Sequence, residues 1–333
     1  MTDVARLAGV SHQTVSRVLN DHPSVRPATR ETVLAAVEAL GYRPNSTARA
    51  LVTGRSRVVG VITVAGTLHG PASTLYGIEA AARAAGYSVS ISSLRADEAL
   101  DELDQMIQRL EQQGVDGVVV LVPLTAGDAS TPPAAVRDRH RTPVVAVAGT
   151  ASDLPVVTID DQAGARLATE HLLGLGHPTV RHVAGPSGWI EARERLAGWR
   201  SALADAGRVV HPPLVGDWSA GSGYLAGRTL AADPTVTAVY AANDQMALGV
   251  LRAMGEHGRR VPQDVSVVGT DDMPEAGYLS PPLTTVGQHF DRVGRRSVEV
   301  LLAEIEGTDA GLETVLQPDL VVRASTGPYG ASS

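Results

Sequence analysis

The side chains with the clearest chemistry stand within twenty residues of the start. His12, Gln13 and Arg17 belong to a short segment in which Val15, Val18 and Leu19 repeat at helical spacing. On a helix that buries those three, His12 and Gln13 occupy the exposed first turn and Arg17 lies about one turn further on. These are base-reading types. Gln can bond adenine N6 and N7 together, Arg can do the same to guanine O6 and N7, and His can donate to a base acceptor or a phosphate. Thr14, Ser16 and Asn20 are polar without charge, which suits contacts that position a helix on a phosphate backbone.

The neighbouring elements must hold that helix. Val4, Leu7 and Ala8 form one face of a preceding helix with Thr2 as its N-cap, and Ser11 caps the second helix. Ala5 is small enough for close approach, Gly9 suits the positive φ of the turn, and Val10 fills the angle between the helices. This is helix-turn-helix logic, in which the start of the second helix enters the DNA major groove. Pro27 opens a third helix with Val33, Leu34, Val37 and Leu40 on one face, and Gly41 ends it. Residues 46–51 are too short for a stable helix alone, but could fold when docked on a surface, and residues 53–57 read as a linker.

Charge follows the same division. The chain of 333 residues carries a formal net charge of −8, yet residues 1–57 hold a balance of +4 and the remainder −12. A small basic head on an acidic body is the asymmetry expected when only the head touches phosphate. Cysteine is absent, which removes disulfides, thiolate catalysis and cysteine zinc sites and fits a reducing cytoplasm. With no apolar leader and no long apolar window, the expectation is a cytoplasmic protein without a membrane partner.

From Val58 strands and helices alternate. Strands are expected at 58–64, 88–94, 115–122, 144–147, 180–184, 236–241 and 265–268, with helices at 73–85, 97–112, 161–173, 190–206 and 244–257. This is βαβ winding in two parallel-sheet domains, with a boundary near 158–161 and a second crossing near Gln288. Ligands of such sheets sit beyond the carboxyl ends of strands. The candidates there are Asn243 and Asp244, Asp271 or Asp272, residues 185–189, and Gln288 to Phe290. Carboxylates and amides hydrogen-bond hydroxyls and aromatic rings stack on sugars, so a polyhydroxylated ligand fits, with Asp244 read first as a helix N-cap.

Other apparent motifs carry no chemistry. Gly221, Gly223 and Gly227 have the wrong spacing for a dinucleotide fingerprint, and His171, His177 and His182 make no zinc pattern. Residues 185–188 are not a nucleophile elbow, and adjacent Asp160 and Asp161 should point apart. No enzyme, cofactor or metal site is expected.

The runs 2–11 and 14–20, then Thr29-Arg30, Leu40-Gly41-Tyr42 and Pro44-Asn45, resemble the LacI/GalR family of transcriptional repressors. The body agrees at Ala184-Gly185-Pro186, residues 195–199, 216–220, 242–249, 266–269 and 281–285, so the resemblance covers about the first 325 residues. It implies an α/β chain: a three-helix DNA-binding head at 1–44, a hinge helix and linker at 45–57, and a periplasmic-binding-protein-like body at 58–325. The body would divide into subdomains of doubly wound parallel sheet, 58–159 plus 290–317 and 160–289 plus 318–325, with 326–333 as a tail.

By the same resemblance His12, Gln13 and Arg17 read an operator, and Asn45, Ala48 and Leu51 belong to a hinge helix that wedges open the minor groove. A sugar effector would bind between the subdomains through Arg195, Trp218, Asn243, Asp271, Gln288 and Phe290, with Leu68 and Thr74 on the N-terminal side. Two departures matter. His12 replaces a tyrosine, and Ala148 stands where a galactoside-binding member carries an aspartate. The tail after Arg323 has no apolar heptad, so a homodimer on a pseudo-palindromic, double-stranded operator is expected. Inducer-released repression competes with a purine-type corepressor mode and with a transport-type sugar-binding protein.

Overall fold

The computed structural model describes residues 1–19, 22–42, 54–64, 66, 68–94, 100–122, 139–148, 154–308, 311 and 313–330. Asn20 and the hinge candidates Asn45, Ala48 and Leu51 lie outside them. Residues 1–57 and 58–333 form two compact units.

In the first unit α1 (Thr2–Ala8), α2 (His12–Leu19) and α3 (Pro27–Ala39) enclose a core of Val4, Ala5, Val15, Val18, Val33 and Ala36. Gly9 takes φ +65°, and the N–H groups of Gly9 and Val10 return to the carbonyls of Arg6 and Ala5 at 3.4 and 3.0 Å. That left-handed cap turns the chain into α2. Three expectations are corrected. Thr2 is already helical, with Met1 at the cap position and no side-chain bond. Leu7 is 57% exposed, and Leu34 and Leu40 are 48% and 46% exposed. The inward positions go to Ala5 and Ala36, because close helix contact favours small side chains and leaves the leucines on the flanks.

The second unit winds twice. β1 (Val58–Val64), α4 (His69–Ala84), β2 (Ser88–Leu94), α5 (Leu100–Gln112), β3 (Gly117–Leu121), β4 (Val144–Val147) and β5 (Val156–Ile159) build the first sheet. The chain then crosses into α6 (Asp161–Gly174), β6 (Arg181–Ala184), α7 (Ile190–Asp205), β7 (Leu214–Val215), α8 (Ala220–Ala231), β8 (Ala238–Ala241), α9 (Asp244–Glu256), β9 (Ser266–Asp271) and β10 (Thr284–Gly287). It recrosses through Gln288 into α10 (Phe290–Glu306) and β11 (Glu313–Leu316), then crosses a third time into β12 (Asp319–Val321). The sheet orders are β2-β1-β3-β4-β5-β11 and β7-β6-β8-β9-β10-β12. Their matching order marks two copies of one winding, and the described pairings are parallel except β10 with β12. Runs such as Gly117–Leu121 are buried along their whole length, as strands with helices on both faces must be.

Two boundaries move with consequences for the site. The helix expected from residue 73 begins at His69, because Pro71 is tolerated in a first turn whose N–H groups have no partner in the helix. The strand expected to stop at 268 continues to Asp271, which brings that carboxylate to its carboxyl end. Smaller shifts of one or two residues occur at 115–117, 121–122, 180–181 and 236–238.

α4 and α10 cross closely enough that a Cβ on Gly77 would lie 2.5 Å from the Asp291 carbonyl oxygen, while one on Gly294 would strike the Thr74 carbonyl. Gly294→Ala should therefore lower body stability by about 1–3 kcal/mol through overpacking, even though alanine is about 1 kcal/mol the better helix former. Urea denaturation followed by tryptophan fluorescence measures this. A more stable variant would mean that the helices do not need the glycine.

Candidate functional site

In the first unit α2 exposes His12, Gln13 and Arg17 while burying Val15 and Val18. Ser11 Oγ accepts the Thr14 N–H at 3.1 Å and shares a hydrogen bond with Thr14 Oγ1 at 2.9 Å, so it caps the helix as expected. Thr14 and Ser16 are half-buried flanking positions. A rigid amphipathic helix thus presents an imidazole, an amide and a guanidinium along one exposed edge.

In the second unit a cleft opens between the two sheets, and its walls come from strand ends. Leu68 and Ala148 follow β1 and β4; Asn243 and Gln288 follow β8 and β10; Trp218 follows β7; Asp271 ends β9. Arg195 enters from α7, Thr74 from α4 and Phe290 from the start of α10, so all nine expected effector residues line one cavity. The sheet order places that cavity at the switch points of both sheets, where such folds bind ligands.

Inside it Arg195 is nearly fully buried. Its Nε donates to Asp161 Oδ1 at 2.8 Å, its Nη1 donates to the Ala242 carbonyl, and Asp271 Oδ1 lies 3.7 Å from Nη1. Burial opposes the charge, but Asp161 and then Asp271 more than offset it, and the guanidinium is held more firmly protonated than usual. Burial likewise pushes Asp271 upward, and Arg195 only partly counters that. Two of its three guanidinium nitrogens already serve Asp161 and the Ala242 carbonyl. Asn243 is similarly engaged. Its Oδ1 caps α9 through the Met246 N–H at 2.9 Å, and its Nδ2 holds the Trp218 carbonyl at 3.1 Å. Asn243, and not Asp244, is the N-cap; Asp244 is buried one residue on, bonded to Thr285 and the Met273 N–H.

Trp218 adopts φ +74°, and its ring lies where a Cβ of Gly185 would be. Only glycine at 185 admits the ring. Trp189 meets Trp218 edge-on at 5.6 Å, Arg195 lies 5.7 Å from the Trp218 ring centre, and Phe290 packs edge-on to His69 at 5.8 Å. Thr74 spends its hydroxyl proton on the Gly70 carbonyl at 2.9 Å. Of the two candidate aspartates, Asp271 lines the cleft and Asp272 pairs with Arg323 at 2.7 Å. Asp160 and Asp161 do point apart: Asp160 caps α6 through the Ala163 N–H at 2.8 Å while Asp161 holds Arg195.

Asp161, Glu191 and His69 also line the cavity and were not singled out from the sequence as effector contacts, whereas Trp189 falls within the expected strand-end candidates 185–189. The signal for Glu191 is its spacing of four from Arg195, which puts both on one helical face. Three buried polar atoms in this lining have no hydrogen-bond partner among the described residues: Trp218 Nε1, Gln288 Oε1 and Glu191 Oε2. A donor, an acceptor and a carboxyl oxygen held ready beside aromatic rings can receive a small hydroxylated molecule. No group of metal-ligating side chains occurs among the described residues.

Arg195→Met tests the ion cluster. It leaves Asp161 and Asp271 buried without their cation, which should cost the body on the order of 3–5 kcal/mol near neutral pH. The deficit should shrink in acid, where the carboxylates take up protons; a deficit below about 1 kcal/mol at neutral pH would show that the pair is solvated.

A model of the lacI family of bacterial regulatory proteins matches residues 1–45, and a model of a periplasmic binding protein-like domain matches residues 169–326. The lactose operon repressor of Escherichia coli (strain K12) is 39% identical over 331 residues, covering 97% of this chain and 89% of that protein. The crystal structure of the lac repressor dimer bound to operator and the anti-inducer ONPF superposes with a TM-score of 0.88 at 37% identity, covering 98% of each chain. The complex of the transcriptional regulator CelR with cellobiose gives a TM-score of 0.71 at 35% identity, covering 97% of this chain and 98% of that one.

Proposed function

This chain belongs to the lacI family of bacterial regulatory proteins and is a DNA-binding transcriptional repressor, and from that premise we propose that a neutral sugar or glycoside in the body cleft releases it from its operator. One observation carries the ligand class: the buried atoms of Trp218, Gln288 and Glu191 that have no partner among the described residues, in a cleft where Trp189 and Trp218 meet edge-on. The cellobiose bound to CelR supports the same class. Nothing in the cleft favours a purine corepressor over a sugar.

His12, Gln13 and Arg17 read base edges in this account, with Thr14, Ser16 and Asn20 on the backbone. Asn45, Ala48 and Leu51 act in the hinge. Two copies of the chain pair so that their heads meet a pseudo-palindrome. Exposed Ile91, Leu225, Leu248 and Tyr278 supply apolar material for that pairing. The three chain crossings between the sheets are the hinges about which a bound sugar changes the preferred arrangement of the subdomains. Loss of operator affinity follows if the sugar binds one arrangement better than the other.

Selection from random duplexes should yield a two-fold symmetric site. On that site Arg17→Ala should lose roughly 1–3 kcal/mol of discrimination at one guanine per half-site, with a much smaller effect on random DNA. Equal weakening on both would make Arg17 a phosphate contact. Failure to select any symmetric site would overturn the operator reading.

A further inference from the structure

The charged side chains of the cleft are unequally employed. Asp161, Arg195 and Asp271 are occupied with one another, whereas Glu191 Oε2 is buried without a partner among the described residues. Glu191 also lines a second pocket that adjoins the cleft, and Ala148 borders both spaces, so the two residues flank the same volume from opposite subdomains. On the facing side Leu121, Val122, Val147 and the methyl of Ala148 are apolar, while Thr158, which borders both spaces, gives its hydroxyl proton to the Ile159 carbonyl at 3.4 Å and Glu313 borders the side pocket. We propose that Glu191 is a specificity-determining residue of this cleft, its carboxyl bonding an effector hydroxyl from the C-terminal side where Ala148 offers no polar atom. The proposal rests on reading the cleft as a sugar site.

The surroundings raise the share of Glu191 that is protonated. Asp161 and Asp271 face it in the cleft, Asp160, Glu194 and Glu313 border the side pocket, and Arg195 is the nearby cation. Burial first, and Asp161 second, push the Glu191 carboxyl up to about 7. A protonated carboxyl donates through its O–H and accepts through its C=O, which matches a hydroxyl that does both. An ionised one in this acidic setting would instead select a cation.

The test uses the full-length protein with D-glucose, D-galactose, cellobiose, lactose and D-glucosamine as probes, read by thermal shift and calorimetry from about pH 5 to about pH 9. For the neutral sugar that binds, wild-type affinity should fall about ten-fold or more as pH rises through neutrality. Glu191→Gln, which mimics the protonated carboxyl, should bind within about three-fold of the wild type's acid-side affinity and lose the pH dependence; Glu191→Ala should bind at least about ten-fold more weakly.

A second arm needs no ligand. Because the folded-state value lies above the ordinary carboxylate value, the wild type should lose stability relative to Glu191→Gln as pH rises from about 5 to about 7, and no further above that. Unchanged affinity in Glu191→Ala, surviving pH dependence in Glu191→Gln, or preference for glucosamine over the neutral sugars would each overturn the proposal. If the wild type binds no probe, the sugar reading of the cleft falls. The unliganded arm then decides separately, and melting temperatures of wild type and Glu191→Gln that track together across pH would remove Glu191.

Discussion

Arg195, held between Asp161 and Asp271, is the interaction to which every wall of the cleft is referred. Asp161 is the first residue of α6, directly after the first crossing between the sheets, and it also accepts Gln288 Nε2 at 3.3 Å from the second crossing. One buried ion cluster therefore fastens two crossings to α7 and to the end of β9. An unpaired charge at that depth would cost several kcal/mol, so the crossings cannot drift gradually away from it. Rearrangement of the subdomains must proceed between discrete packings, which is what a switch requires.

Backbone strain is concentrated in the same place. Ala148, Trp218 and Asp271 line the cleft with positive φ, and Asp272 and His289, beside an adjoining groove, do the same. Each such residue costs stability that the surrounding packing must supply. At Trp218 the supports are visible: Asn243 holds its carbonyl and Gly185 makes room for its ring. The indole N–H is left by that arrangement without a partner among the described residues. The protein thus spends stability to keep polar atoms ready for an occupant, a pattern with no advantage in a purely structural core.

Much of this was legible from residue patterns because the periodicities were long and clean. The two helices around Gly9, the βαβ alternation and the strand-end residues Asn243, Asp271 and Gln288 all follow from spacing and from the geometry of parallel sheets. The helices Ala220–Ala231 and Phe290–Glu306 and the strand Thr284–Gly287 were not expected, and short elements were missed as well. Val156–Ile159, Leu214–Val215 and Asp319–Val321 are two to four residues long and owe their strand state to neighbours distant in sequence. Leu7 and Leu34 misled because hydrophobicity alone does not say that an alanine takes the helix contact. In the cleft, residue type identified Arg195 but could not reveal that Asp161 and the Ala242 carbonyl already occupy it. Asp161 looked idle beside Asp160, since its partner lies 34 residues away.

The central claim is a coupling between the cleft and the DNA-reading head, and coupling free energy is reciprocal. Operator affinity should be measured by fluorescence anisotropy with and without a saturating sugar, and sugar affinity by calorimetry with and without saturating operator. The account predicts that sugar weakens operator binding by a factor in the range of about 5 to 150, and that operator weakens sugar binding by the same factor. A sugar that fills the cleft while leaving operator affinity unchanged would contradict it.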